Sequence, residues 1–189
     1  AGLPCVVMDV AGGARSAIGH LTGHGHREIA LLGGPRNSWT SREIRKAATA
    51  AARAAGVELS VLSPNPPTVE GGLAVAEHVV REGVTAVLAY NDLMAIGLME
   101  GLDKLGVAVP ADVSVVGMDD IEMAQRVRPK LTTVANPTAA AGRTAVDMLL
   151  QIGDDRRTTA QVTLQTELVV RDSTGPGPLA ELTTPDGGR

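Results

Sequence analysis

Short apolar runs separated by polar corners set the rhythm of this chain. Arg27–Gly33, Val57–Leu62, Val84–Tyr90 and Val113–Gly117 are brief, mostly aliphatic, and flanked by glycine, proline or Asx residues. Runs of that length with those flanks read as buried strands. Between them, apolar residues recur at helical spacing. Ser41–Ala55 is rich in alanine, and Thr40 with Glu43 three residues on forms a capping box ahead of it. Val69–Glu82 is a helix that packs through Leu73, Ala76, Val79 and Val80. Leu93, Ile96, Met99, Leu102 and Leu105 mark a third helix, with Asn91 or Asp92 as its cap. Gly56, Gly83 and Gly106 stop these helices in turn. Strands and helices alternating every ~30 residues are repeated βαβ units, so the predicted sheet is parallel with right-handed crossovers.

The rhythm loosens toward both ends. Pro4–Asp9 is a strand, after which Gly12-Gly13 opens a helix with Ala14, Ala17, Ile18 and Leu21 on one face. Ile121–Val127 is short helix or irregular chain, and Leu131–Ala135 is a strand. Pro137 and Thr138 then open a helix through Ala141, Ala145, Met148 and Leu149 to Ile152. Gln161–Val170 alternates apolar and polar positions, as a final strand or hairpin at a sheet edge does. From Ser173 to Arg189 little can be buried, which predicts a disordered tail.

Composition narrows the classes. With 189 residues, 44% hydrophobic and 20% charged, the chain can bury a core as one domain or two small lobes. No apolar run reaches the ~18–20 residues of a membrane span, and Ala1–Val10 lacks the basic start of a secretory signal. The single cysteine, Cys5, excludes an internal disulfide, and its apolar run predicts buried packing. These features point to a cytoplasmic location with no membrane partner. The formal charge is −4, and Lys and Arg are scattered rather than grouped in a stripe, so no face is predicted to grip nucleic acid. Trp39 and Tyr90 are too few for a base-stacking platform.

Polar groups collect just past the carboxyl ends of the predicted strands, the rim at which open parallel sheets bind ligands. The corners are Gly34–Trp39, Ser63–Thr68, Asn91-Asp92 and Met118–Asp120. Asp92 and Asp119 offer acceptors, Asn91 a donor and an acceptor, Arg42 and Arg45 fork-shaped donors, and Trp39 a flat apolar wall. That set suits a small polyhydroxylated ligand. Each residue also has a plainer use: Asn91-Asp92 as a cap, Asp119-Asp120 as a solvated turn, the arginines on a wet helix face, Trp39 packed beneath its loop. His20, His24 and His26 have no carboxylate at metal-binding spacing, so no metal site is expected. Dinucleotide fingerprint, phosphate loop and nucleophile elbow are all missing, which predicts no cofactor and no catalytic residues.

Four segments carry a more specific pattern. They are HLTGHGHREIALLGGP (His20–Pro35), SREIRKAATAAARAAG (Ser41–Gly56), AVLAYNDLMAIGLMEGLDKLGVAVPADVSVVGMDD (Ala86–Asp120) and PKLTTVANPTAAAGRTAVDMLL (Pro129–Leu150). Through AYND-x-MAIG, VPADVSVVGMDD and P-x-LTTV, the chain resembles the lactose-repressor-type (LacI) family of bacterial transcription regulators from about Pro4 to Asp172. The resemblance implies a type I periplasmic-binding-protein-like fold, a doubly wound α/β parallel sheet in two lobes. A small effector, sugar or nucleoside, would sit between the lobes and alter affinity for operator DNA. It also implies a division of the chain: 1–10 as a remnant of the first lobe, 11–130 as an essentially complete second lobe, 131–153 returning to the first lobe. Residues 154–172 would then supply final strands of the second lobe, and 173–189 the tail. Most of the first lobe and the DNA-reading helix-turn-helix are expected to lie outside these residues.

Position by position, Asn91 matches the asparagine that touches the effector and Asp119 the acidic effector residue of the glycine-x-aspartate motif. Asp9 matches an aspartate that closes the last first-lobe strand and faces the ligand. Ile44 stands where the family places an arginine, leaving Arg42 or Arg45 to compensate, and Met118 where an aromatic is frequent. The expected effector set is therefore Asp9, Trp39, Arg42, Arg45, Asn91, Asp92 and Asp119. The resemblance further implies a homodimer, with Leu98, Met99 and Leu102 as candidate contacts or, equally, core. Two other classes share this architecture: an extracytoplasmic sugar-binding protein of a transporter, and an enzyme on a doubly wound sheet.

Overall fold

The structure, a computed structural model, describes residues 4–151 and 161–178. In chain order the elements are β1 (Cys5–Met8), α1 (Val10–Gly23), β2 (Glu28–Leu32), α2 (Trp39–Ala54), β3 (Glu58–Leu62), α3 (Val69–Leu73) and α4 (Ala76–Glu82). There follow β4 (Ala86–Ala89), α5 (Asp92–Lys104), β5 (Ser114–Asp119), β6 (Thr132–Ala135), α6 (Thr138–Gln151), β7 (Gln161–Leu164) and β8 (Glu167–Val169).

Parity along the strands builds two cores. Ile29, Leu31, Ala86, Leu88, Val116 and Met118 face α1 and α2, while Ala30, Leu32, Val87, Ala89 and Val115 face α4 and α5. A strand buried on both faces must be apolar at consecutive positions, which is why the runs showed no alternation. The main sheet has the order β3-β2-β4-β5-β6-β8, parallel throughout except for β8, which lies antiparallel to β6. From β2 the chain steps outward to β3, then returns to place β4 on the other side. The carboxyl ends of β2 and β4 therefore flank the switch point where such sheets bind ligands.

β1 and β7 form a separate two-stranded parallel sheet on which α6 packs. Two expected boundaries move as a result. β6 belongs to the main sheet, buried beside β5, and is not part of the return to the first lobe. β7 pairs with β1 and so leaves the second lobe, to which only β8 is added. The chain thus passes between the sheets at Asp9-Val10, after Asn136, and between Leu164 and Thr166. Cys5 is exposed rather than buried, since the small sheet has little cover. The start of the predicted tail is docked. Ser173 is buried, its Oγ donating to the Val115 carbonyl (2.6 Å) and accepting from the Thr132 amide (2.8 Å). Residues 179–189, and the predicted helix end at Ile152-Gly153, fall outside the described residues.

Local chemistry explains the remaining differences. α2 is capped by Ser38, whose Oγ accepts from the Ser41 amide, and Thr40 already lies inside the helix, so the Thr40–Glu43 box is not the cap. The helix predicted over Val69–Glu82 is two helices. Gly71-Gly72 weaken its start, Gly72 lets α3 lie against α5 at backbone distance, and the chain turns at Ala74-Val75 before α4 resumes. Leu98, Met99 and Leu102 are buried in the core between α5 and the sheet, not available as dimer contacts. Among the described residues no helix is long and apolar enough to cross a membrane.

Gly97 sets the approach of α5 to α3, because a β-carbon there would collide with the Val69 backbone carbonyl. Gly97→Ala is expected to lower unfolding free energy by about 1–3 kcal/mol, read from urea denaturation. On α6, Leu149 and Leu150 are 69% and 78% exposed beside exposed Val146. An apolar patch of this kind predicts concentration-dependent self-association in sedimentation, relieved by Leu149→Lys with Leu150→Glu. A monodisperse monomer of the unmodified chain would contradict it.

Candidate ligand-binding site

At the carboxyl ends of β4 and β5 the chain forms a cleft of about 280 Å³. Its polar lining is Asn91, Asp119, Asn136 and Thr40, and its apolar lining is Val10, Ile44, Pro67, Tyr90 and Met118. Among the described residues no Lys, Arg or His contributes.

Asn91 is at once cap and lining. Its Oδ1 accepts from the Met94 amide (3.0 Å) and its Nδ2 donates to the Pro67 carbonyl (3.1 Å). One lone pair and one N–H remain for a ligand. Asp119 and Asp120 both have positive φ, 117° and 52°, a conformation that costs a side-chain-bearing residue energy and that cross-links hold here. The Asn136 amide donates to Asp119 Oδ1 (2.9 Å), the Arg171 guanidinium grips Asp120 Oδ1 (2.5 Å), and the Asp120 amide points to Thr133 Oγ1 (3.4 Å). Asp120 is thereby turned to Arg171 and Asp119 to the cleft. Desolvation on its protein side pushes the Asp119 carboxyl up to about 6, against the pull of Asn136. Asn136 Oδ1 is buried without a hydrogen-bond partner among the described residues.

Asp92 is not a cleft residue. It is 0% exposed, with Oδ1 accepting from Thr133 Oγ1 (2.5 Å) and Oδ2 from the Ile121 amide (2.9 Å). Burial raises its carboxyl to about 7, the two hydrogen bonds opposing that shift and the negative Asp119 and Asp120 adding to it. Asp9 caps α1, Oδ1 accepting from the Gly12 amide (2.7 Å) with Arg15 3.6 Å from Oδ2, and its neighbour Val10 reaches the cleft instead. Trp39 opens α2 half exposed, and Thr40 beside it lines the cleft. Arg42 and Arg45 are exposed on another face of α2 and line other hollows. His26, buried before β2, is held by Thr85, Ser114 and the Gly175 carbonyl, and burial lowers its pKa. Of the expected set, the structure brings Asn91 and Asp119 together and leaves the other five outside the cleft lining. Asn136, Tyr90 and Arg171 were not foreseen. Asn136 follows a strand end, so the rule that pointed to Asn91 and Asp119 applies to it equally.

Residues 18–174 match the family model for a periplasmic binding protein-like domain. The chain belongs to that family, in its LacI-type branch. The HTH-type transcriptional regulator reg1 of Streptomyces lividans is 35% identical over 183 residues, covering 93% of this chain and 53% of that protein. A LacI family transcriptional regulator from Enterococcus faecium with bound ribose superposes with a TM-score of 0.83 at 31% identity, over 90% of this chain and 65% of that one. A dimeric Lac repressor with an 11-residue C-terminal deletion gives 0.85 at 30% identity, over 91% and 64%. The chain spans about half the length of the curated relatives it matches. In this LacI-type cleft, Ile44 lies buried in the lining at the position where the motif resemblance expects arginine. Arg42 and Arg45, near it in sequence, lie outside that lining, their helix positions turning them to other hollows.

Asp92 makes this site sensitive to pH. Its carboxyl starts from an ordinary 3.8, so up to about 7 the folded chain holds a proton that the unfolded chain has released. Stability therefore falls as pH rises through that window. Asp92→Asn keeps the shape: its carbonyl can accept from Ile121 and its amide donate to Thr133. The variant is expected to lessen that fall in urea midpoints taken from pH 4 to 7.5, leaving the part below about pH 6 that the raised Asp119 contributes, and an unchanged slope would refute this.

Proposed function

We propose that these residues are the ligand-sensing portion of a cytoplasmic LacI-type transcription regulator without catalytic activity. The ligand is a small neutral polyhydroxylated molecule of the sugar class. One observation carries this: Asn91, Asp119 and Asn136 converge on one cleft that, among the described residues, no cationic side chain lines. Vicinal hydroxyls satisfy a carboxylate and amides together, and an anionic ligand would meet only repulsion from Asp119. The ribose held by the Enterococcus faecium regulator agrees with that class. Operator binding belongs to a helix-turn-helix outside the 189 residues, as the name of reg1 suggests, and a homodimer follows the dimeric Lac repressor. With Leu98, Met99 and Leu102 occupied in the core, α5 would offer exposed Leu93 and half-buried Ile96 to such a partner. Control is a population shift: the ligand must favour one arrangement of the two sheets over another. The regulators among its relatives favour this reading over a transport protein.

The test is an NMR-detected titration of the chain with ribose, glucose, maltose and cellobiose. At least one is expected to shift amides of Asn91, Asp119 and Asn136. Asp119→Asn, which tolerates positive φ, is expected to weaken that binding about tenfold or more, the loss of a charge-assisted hydrogen bond, with the thermal midpoint little changed. A silent panel, or equal binding by the variant, would overturn the reading.

A further inference from the structure

Five of the 17 basic side chains, expected to be scattered, lie close together on and beside α2. On α2, Arg42, Arg45, Lys46 and Arg53 follow helical spacing along one exposed face and, together with Glu43, line an open groove. At the head of that face Arg42 and Arg45 meet Arg36 around a separate cavity of about 490 Å³, shared with Gly33, Ser41 and Ser63. No carboxylate lines this cavity, and none of its three arginines makes an ion pair among the described residues. Guanidinium groups around one hollow repel each other, a cost that an anion between them converts to attraction. The first turn of the 16-residue α2 also borders the cavity and adds positive partial charge.

We propose that this cavity binds the phosphate group of a small phosphorylated ligand, at a second site distinct from the sugar cleft. A phosphate monoester presents three terminal oxygens and nearly two negative charges, enough to engage three guanidinium forks and two serine hydroxyls. A single carboxylate is matched by one fork. The volume lies in the range of small-molecule sites. Separation from the cleft follows from the helix: Thr40 and Ile44, four apart, line the cleft, while Ser41 and Arg45, one position on, line the cavity.

The test is calorimetric titration of the chain with inorganic phosphate, a hexose 6-phosphate and the corresponding free hexose at low and physiological salt. The ester is expected to bind, inorganic phosphate more weakly, and both to weaken as salt rises. Arg36→Gln with Arg45→Gln, both at exposed positions, is expected to reduce ester binding about tenfold or more while leaving sugar shifts in the cleft unchanged. Asp119→Asn is expected to leave ester binding intact, so a failed sugar site and a failed phosphate site read differently. The proposal is overturned if the ester binds no better than free hexose, or if the double variant binds it equally. Loss of ester binding with Asp119→Asn would place the ester in the cleft and also overturn it. So would binding of long polyanions such as heparin with both phosphate probes silent.

Discussion

A single buried carboxylate ties together the three strand ends that make the cleft. Asp92 opens α5, yet its oxygens reach the start of the segment after β5 and the middle of β6. Gly117 makes this possible, because a β-carbon there would occupy the space of Asp92 Oδ1. Removing a carboxylate from water is costly, and the raised titration of Asp92 shows that the two hydrogen bonds only partly offset the cost. What the tie contributes is position. Thr133, which donates to Asp92, also receives the Asp120 amide, so the strained Asp119-Asp120 pair is registered against the residue that follows the cap Asn91.

That registration matters because the cleft is built where the chain changes sheets. Val10 follows the first crossing and Asn136 precedes the second, and both line the cleft with Asn91 and Asp119 of the main sheet. The hydrogen bond from Asn136 to Asp119 therefore joins a crossing between the sheets to a carboxylate of the cleft lining. On the proposed reading, a reorientation of the small sheet and α6 would move Val10 and Asn136 relative to Asn91 and Asp119. A ligand held by Asp119 and Asn136 has a direct grip on that reorientation, which is the differential contact a population shift requires.

Much of the fold was legible because a doubly wound sheet writes its strands as apolar runs and its corners as glycine, proline and Asx residues. Asn91 and Asp119 were legible for the same reason, being polar groups stranded at strand ends. Pairing was not legible. Leu131–Ala135 and Gln161–Leu164 have the composition of strands, but nothing local says which neighbour each will take, and the lobes were divided wrongly at both. Asp92 looked like a ligand residue because a run of letters does not distinguish a carboxylate facing outward from one turned under the rim. Leu98, Met99 and Leu102 misled similarly: α5 is covered by α3 and α4 on one side and the sheet on the other, so its apolar arc is wider than one stripe.

The arginines of α2 show how one helical step decides the chemistry. Successive residues project about 100° apart, so Ile44 faces the cleft while Arg45 is carried round to the arginine-lined cavity. Had the register of α2 been displaced by one position, a guanidinium would take the place of Ile44 in the cleft lining. Ser38 prevents this by fixing the first turn, its hydroxyl taking the Ser41 amide and lying 3.3 Å from the Tyr90 hydroxyl at the end of β4. A close approach secures Tyr90 in turn, because its ring fills the space where Gly34 would carry a β-carbon. The absence of positive charge from the cleft thus rests on packing at Gly34, Tyr90 and Ser38 as much as on the isoleucine itself.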